Sequence, residues 1–456
     1  MTTIGYNNDV LFLILKELQN DSFALFTCLM VNKLWCEIAI PLLWKNPWHY
    51  NINYTNKNYL FNIFFYYSSH KNLLSFSPSF KPLLFDYLSF CKSINIKVIN
   101  EIASIGSTSY NNQLLQQEFC SLLIKKCSRL EYLNTISISH QTFLFRVPET
   151  KALIESLSEL ICDSFTCSSY FHDLAYNCHN IQRFIIINTT TSVNNGIIKL
   201  IEVQKNLKYF EWKDDFEQID DDIIDLYNEI FSVLEKKADN IDHLVLLFYY
   251  QSNKLSKILP KFHKLKTLTL NKYCCLEDAM MPVYNDLEML NIDHITINAA
   301  VNLIANSGGK LKEVLLNYNG YYNDDHYVEI YAKETLELIH KTYKNCPLIE
   351  ILLLTFPSST EHFIKFEELL IYCRNLKKLT LVIDDILDVD NYENYERNPE
   401  SIKKLLQILV RSAPIGLKEI RIYNDSIPYL GSSRILERWG DQNIIVHLGM
   451  LKDFYL

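Results

Sequence analysis

Glycine is scarce, at 10 of 456 residues. Loops that cradle phosphate need it, because the backbone must approach the ligand closely. The single Gly-Gly pair, Gly308-Gly309, fits neither a P-loop nor a GxGxxG pattern, which removes the commonest nucleotide-binding classes. Cysteine is sparse for a disulfide scaffold, 12 in 456 residues, and no two stand in CxxC spacing, so neither a zinc ribbon nor a thioredoxin-like site is signalled. These cysteines are expected to be reduced thiols in a core. No GxSxG, HExxH or Cys-His catalytic signature occurs, and no enzyme activity or cofactor is expected.

Clustered positive charge is also missing. The net charge is −9 and no Lys/Arg block breaks the acidic balance. Nucleic acid binding needs many cations on one face, so no nucleic-acid partner is expected. The chain opens Met1-Thr2-Thr3-Ile4-Gly5 without a cationic leader, and its first apolar run carries Asp9, Lys16 and Glu17. The most aromatic stretch, Tyr59 to Tyr67, falls far short of the roughly 20 residues that span a bilayer. The expectation is a soluble intracellular protein, cytoplasmic and/or nuclear, with no membrane partner. Asp214-Asp215, Asp220-Asp221-Asp222 and Asp384-Asp385 read as solvated loop or helix-start carboxylates. His172, Cys178 and His179 lack a zinc spacing, so no metal site is expected.

What the chain does have is a repeat. The pattern apolar-x-x-apolar-x-apolar returns after polar breaks, beginning at Leu130, Leu157, Ile181, Leu207, Ile241, Leu265, Leu287, Leu311, Leu348, Leu376 and Leu417. Leu265-Lys-Thr-Leu268-Thr-Leu270 is a clear copy. The alternation makes each copy a short strand with one buried face. Between copies the period turns helical. Ser358 with Glu361 forms a capping box. Asn398 caps a helix with Pro399 at its first position, and Asp222 caps another. Cys127, Cys178 and Cys373 each stand three residues before a strand's first apolar residue, while Cys346 stands two before Leu348. A small apolar side chain suits the point where a helix end packs under the next strand.

These copies resemble leucine-rich repeats over roughly 320 residues from Leu130 onward. The family's Asn or Cys after the strand is mostly replaced; the corresponding places hold Tyr273 and Ile295. The resemblance implies an α/β fold, an irregular solenoid of parallel strands alternating with helices. Solenoids present extended surfaces made from solvent-facing strand positions. Candidate target-binding residues are therefore Lys208, Glu211, Lys266, Glu288, Lys377 and Glu419, with Thr269, Asn291, Thr380 and Arg421 beside them.

The first 48 residues differ. Val10, Leu11, Ile14, Leu15 and Leu18 make one apolar helix face after Asp9, the candidate cap. A second helix starts at Asp21 with Leu25, Cys28 and Leu29. A third carries Val31, Leu34, Trp35 and Ile38 until Pro41 stops it. Such a core is marginal unless a partner covers it. The segment resembles the F-box at Asp9, Leu11, Ile14, Leu18, Val31, Asn32, Lys33, Trp35, Pro41, Leu43 and Trp44, with Asn7-Asn8 in place of the usual Leu-Pro. The resemblance implies that Val10, Leu11, Ile14, Leu18, Leu25, Val31, Asn32, Trp35, Pro41, Leu43 and Trp44 bind a Skp-type adaptor, and through it cullin and RING subunits. The chain would then be a substrate-recognition adaptor of an SCF-type ubiquitin ligase that acts by proximity rather than chemistry. The rival reading is an interaction scaffold outside any ligase, with residues 8–48 merely capping the solenoid. The domains expected are 1–48, a helical connector over 49–128 with helices at Leu83 to Phe90 and Leu114 to Ile124, and repeats over 129–456.

Overall fold

The computed structural model describes residues 8–48, 57–69, 82–106, 111–136, 149–216, 227–250, 252, 254–271, 273–274, 276, 283–293, 295–317, 325–384, 399–424 and 444–450. By contacts the chain divides into two compact units, Met1–Leu207 with Asp215–Asp222, and Lys208–Asp214 with Ile223–Leu456. In the first unit, strands β1 (Ser93–Asn95), β2 (Tyr132–Asn134), β3 (Glu159–Asp163) and β4 (Arg183–Asn188) pair in parallel and in chain order. The second unit continues the scheme with β5 (Tyr209–Asp214), β6 (His243–Leu247), β7 (Thr267–Leu270), β8 (Met289–Asp293), β9 (Glu313–Asn317), β10 (Ile351–Pro357), β11 (Lys378–Asp384), β12 (Glu419–Tyr423) and β13 (Ile445–Gly449). Each of these also pairs in parallel with its sequence neighbour. A parallel pair needs a crossover, and helices such as Ser168–Asn177, Ile297–Ala305 and Thr360–Tyr372 supply it. Each unit is thus the α/β alternation of parallel strands and helices that the repeats called for.

The repeat pattern predicts which side chains go inside. Positions one, four and six of the copies are buried almost throughout: Leu265, Leu268 and Leu270, or Leu376, Leu379 and Leu381. One copy starts one residue later than its sequence pattern suggests. Leu348 is exposed and Ile349 fully buried, with Leu352 and Leu354 following it inward. Leu352 pairs with Val314 and Leu379, which fixes the copy as Ile349-x-x-Leu352-x-Leu354. A slip of one residue exchanges the faces of a strand, so only one register buries the apolar set. Cys346 then lies three residues before the strand's first buried residue, like Cys127, Cys178 and Cys373.

That junction position closes the preceding helix. The backbone N–H groups of Cys127, Cys178, Cys346 and Cys373 donate to carbonyls four residues back at 2.7, 2.7, 2.9 and 2.8 Å. All four are buried, and burial pushes the thiols of Cys178, Cys346 and Cys373 up to about 12. They are packing groups, not nucleophiles. Gln204 takes the same place before Leu207. Its buried amide donates to Cys178 O and Leu200 O, both at 2.8 Å, and accepts from Ile181 N at 2.9 Å.

A polar ladder does exist, one position earlier than the family's Asn or Cys. The eighth residue of a copy turns inward: Ser164, Asn188, Asp214 and Asn424 are buried there, while Phe248, Phe356 and Ile383 fill the same place with apolar groups. Ser164 Oγ donates to Asn188 Oδ1 at 2.7 Å, and Asn424 Nδ2 to Ile383 O at 3.0 Å. Asp214, expected in solvent, is buried because it caps a turn. Its carboxylate accepts from Trp212 Nε1 at 2.9 Å, from Tyr249 N at 2.8 Å, and from Tyr227 Oη.

Further details depart from expectation. Helix Thr360–Tyr372 is capped by Ser359, not Ser358. Asp222 and Asn398 lie outside the described residues. Helix Asn112–Lys126 covers the Leu114 to Ile124 prediction, whereas Leu83 to Phe90 yields only a single turn, Tyr87–Phe90. The span expected to be a purely helical connector contains β1 as well as helices Lys57–Ser69 and Ile96–Ile105. The Gly308-Gly309 pair lies in the turn between helix Ile297–Ala305, which is capped at Asn306, and β9, with φ of +66° and +78°. Left-handed backbone in the turn after a helix is glycine's usual task.

Candidate functional site

Residues 8–48 form three helices, α1 (Asn8–Glu17), α2 (Ser22–Cys28) and α3 (Lys33–Lys45). Asp21 caps α2 by accepting from Ala24 N at 2.9 Å, and Asn32 caps α3 by accepting from Trp35 N at 3.0 Å. The Val31-Asn32-Lys33-x-Trp35 run is therefore a helix start. Asn32 satisfies an orphan N–H, and Trp35 packs partly against the module core. Lys33 pairs with Glu37 one turn on, at 3.7 Å. Asp9 is not a cap but lies in the first turn of α1, where its charge suits the helix dipole. Pro41 does not stop α3; it sits inside it. Proline costs a helix one hydrogen bond, and that loss is offset where Leu42 and Leu43 beyond it pack against the core.

The core is Leu11, Leu15, Leu25, Cys28 and Ala39, with Leu18, Leu29, Leu34, Trp35, Ile38, Leu42 and Leu43 packed partly against it. The residues named from the sequence thus sort into two groups. Leu11 and Leu25 are internal, and Leu18, Trp35 and Leu43 half so. Val10, Ile14 and Val31 are exposed, and Asn32 is exposed as a cap. Pro41 and Trp44 are half-buried; Trp44 packs on Tyr87 with ring centroids 4.8 Å apart.

Sequence reasoning missed the most exposed apolar groups of this module. Phe23, Phe26 and Met30 are 81%, 62% and 80% exposed, and Phe12 and Leu13 are exposed beside Val10 and Ile14 on α1. Phe23 and Phe26, three apart, share a face of α2, and Met30 follows in the turn after it. That signal was available in the sequence. Several large exposed apolar side chains in one small module are candidates for an interaction surface.

The residues proposed for target recognition serve a different end first. In the second unit the residue after each copy's first apolar position donates its N–H to the carbonyl of its counterpart one strand back. Lys266 N donates to Asp242 O at 2.6 Å, Glu288 N to Lys266 O at 2.8 Å, and Lys377 N to Glu350 O at 2.7 Å. The charges alternate along this row. Lys266 faces Asp242 at 3.9 Å, Lys312 faces Glu288 at 2.7 Å, and Lys377 faces Glu350 at 2.6 Å. Opposite charges on adjacent strands favour the register. Glu419 holds Lys378 at 3.3 Å and Arg421 at 2.6 Å, and Glu211 accepts from Tyr209 Oη at 2.7 Å. Lys208 is exposed. A depression of about 230 Å³ between Glu313, Ile351, Lys378, Thr380, Glu419 and Arg421 gathers charged and apolar groups on the solvent side of β9–β12.

Among the described residues no three His, Cys, Asp or Glu side chains are placed to hold a metal. His172 is exposed whereas Cys178 is buried at a helix end. No described helix is long and apolar enough to cross a membrane. No family model matches this chain, and no curated protein does. Among solved structures it is similar to a chain of the yeast Rad7 and Elc1 complex, with 13% sequence identity and a TM-score of 0.36 over 74% of each chain.

Proposed function

We propose that residues 8–48 work as an F-box and that the chain is a non-catalytic substrate-recognition subunit of an SCF-type ubiquitin ligase. The observation that supports this most is the set of exposed apolar side chains, Phe12, Leu13, Ile14, Phe23, Phe26, Met30 and Val31, on a module that has its own core. A small helical module gains nothing in its own stability from exposed phenylalanines. Burying them against a helical groove of a Skp-type adaptor would stabilise the complex by about 1.5–3 kcal/mol per large side chain. The repeats hold the target, and the depression at β9–β12 is the place on the strand face where charge and apolar floor combine. Ubiquitin transfer then follows from effective concentration, with the chemistry left to other subunits.

The test is co-purification with a Skp-type adaptor. Wild type is expected to hold it through washing. Phe23→Ala with Phe26→Ala and Met30→Ala should lose it while keeping the helical content of wild type. Retention of the adaptor by that folded triple variant would refute the reading.

A further inference from the structure

We propose that the last turn of α3 is the N-terminal cap of the repeat sheet, so that the helical module and the first repeats open and close as one piece. This goes beyond the ligase reading and does not depend on it. An edge strand exposes unpaired N–H and C=O groups and has to be covered, and a helix end leaves carbonyls without partners. The structure satisfies both needs with one contact. In the first unit the start of each strand donates to the strand before it: Gln182 N to Ser158 O at 2.8 Å, Ser158 N to Glu131 O at 3.1 Å, Glu131 N to Lys92 O at 2.8 Å. The row does not stop at β1. Lys92 N donates to Lys45 O at 2.9 Å, and Lys45 is the last residue of α3. The helix end stands where a preceding strand would.

Three side-chain contacts reinforce the join. Trp48 is buried and its indole N–H donates to Ser93 O at 3.2 Å, on β1 itself. Lys45 Nζ reaches past β1 to Glu131 at 2.9 Å, and Lys92 and Arg129 approach the same carboxylate at 3.6 and 3.8 Å. These cations hold the Glu131 carboxyl below its ordinary range against the opposing effect of burial. Trp44 packs on Tyr87 just ahead of β1. The docking and capping roles of residues 8–48 are therefore compatible, since they use different residues. The capping ones are Trp44, Lys45 and Trp48; the exposed apolar side chains are on α1, α2 and the turn between α2 and α3.

Hydrogen exchange read by mass spectrometry on the full chain tests this. In wild type, peptides covering the end of α3 and peptides covering β1–β2 are expected to exchange through one shared opening, with the same dependence on added urea. Trp48→Phe, which keeps an aromatic ring but removes the pyrrole half of the indole with its N–H, combined with Glu131→Gln, is expected to speed exchange at β1 at least tenfold and leave β4 unchanged. Trp48→Phe alone, the gentler change, should speed it about threefold. Separate openings for α3 and β1 in wild type would overturn the proposal, and so would unchanged β1 exchange in either variant.

Discussion

Lowering the pH puts a charge where the helix pair Asp325–Asn345 and Thr360–Tyr372 is built for a neutral ring. His362 is buried, stacked on Phe356 with ring planes 3° apart and centroids 5.9 Å apart. Its Nε2 lies 2.8 Å from Thr335 Oγ1 and its Nδ1 2.7 Å from Ser359 Oγ. Thr335 Oγ1 donates its own proton to Tyr331 O at 2.8 Å, so Nε2 carries the hydrogen and Nδ1 accepts from Ser359. A second ring proton would have to point at a hydroxyl that already accepts from His362 N at 3.3 Å. Burial lowers the imidazole from 6.5 to about 4, against a smaller opposing contribution from a backbone contact at Ala332. Between those two values the unfolded chain binds the proton and the folded chain does not. Stability is therefore full above pH 6.5, falls as the pH drops, and has lost this contribution below about pH 4. The interval corresponds to about 3 kcal/mol, spread at up to about 1.4 kcal/mol per pH unit. Urea denaturation at pH 7, 6, 5 and 4.5, on wild type and on His362→Gln, isolates it from the carboxylates that titrate in both. Wild type should lose stability more steeply than the variant as the pH falls. Parallel curves would refute the reasoning.

Other perturbations address separate links. Asn32→Ala removes the cap of α3 and should cost about 1 kcal/mol, with Asn32→Asp restoring most of it, read by thermal denaturation. Lys377→Glu sets a like charge against Glu350 and should destabilise by about 0.5–1 kcal/mol at low salt, an effect that 0.5 M NaCl largely removes; a salt-independent loss would contradict the ladder. Gly308→Ala forces a side chain into φ +66° with its Cβ 2.8 Å from Asn285 Cα, and should cost about 1–3 kcal/mol in urea titrations.

Strand positions were legible because alternating burial leaves a two-residue period in the sequence, and eleven copies sharing one pattern reinforce each other. The misread copy shows the limit: in Pro347-Leu348-Ile349 two apolar residues stand side by side, and only pairing with β9 and β11 decides which one enters the core. β1 was missed for a related reason. Its copy reads Cys91-Lys-Ser-Ile94-Asn-Ile96, complete except that cysteine holds the first position, and all three apolar residues are buried. β13 has Val446 and Leu448 but no apolar residue at its start, where Asn443 stands. Pro41 misled because a local rule about helix stops lost to packing on the far side of the proline. In the N-terminal module the apolar residues are alike by type, while geometry divides them: Leu11 and Leu25 hold the module together, and Phe23, Phe26 and Met30 face out. A sequence period places residues on a face but does not say which face is covered.

The most direct test of the central claim is a titration of the full-length chain against a purified Skp-type adaptor, by calorimetry, with and without the three outward side chains. Wild type should bind saturably. Phe23→Ala with Phe26→Ala and Met30→Ala, as folded as wild type by circular dichroism, should bind at least a hundredfold more weakly. No measurable binding by wild type, or equal affinity in the triple variant, would contradict it.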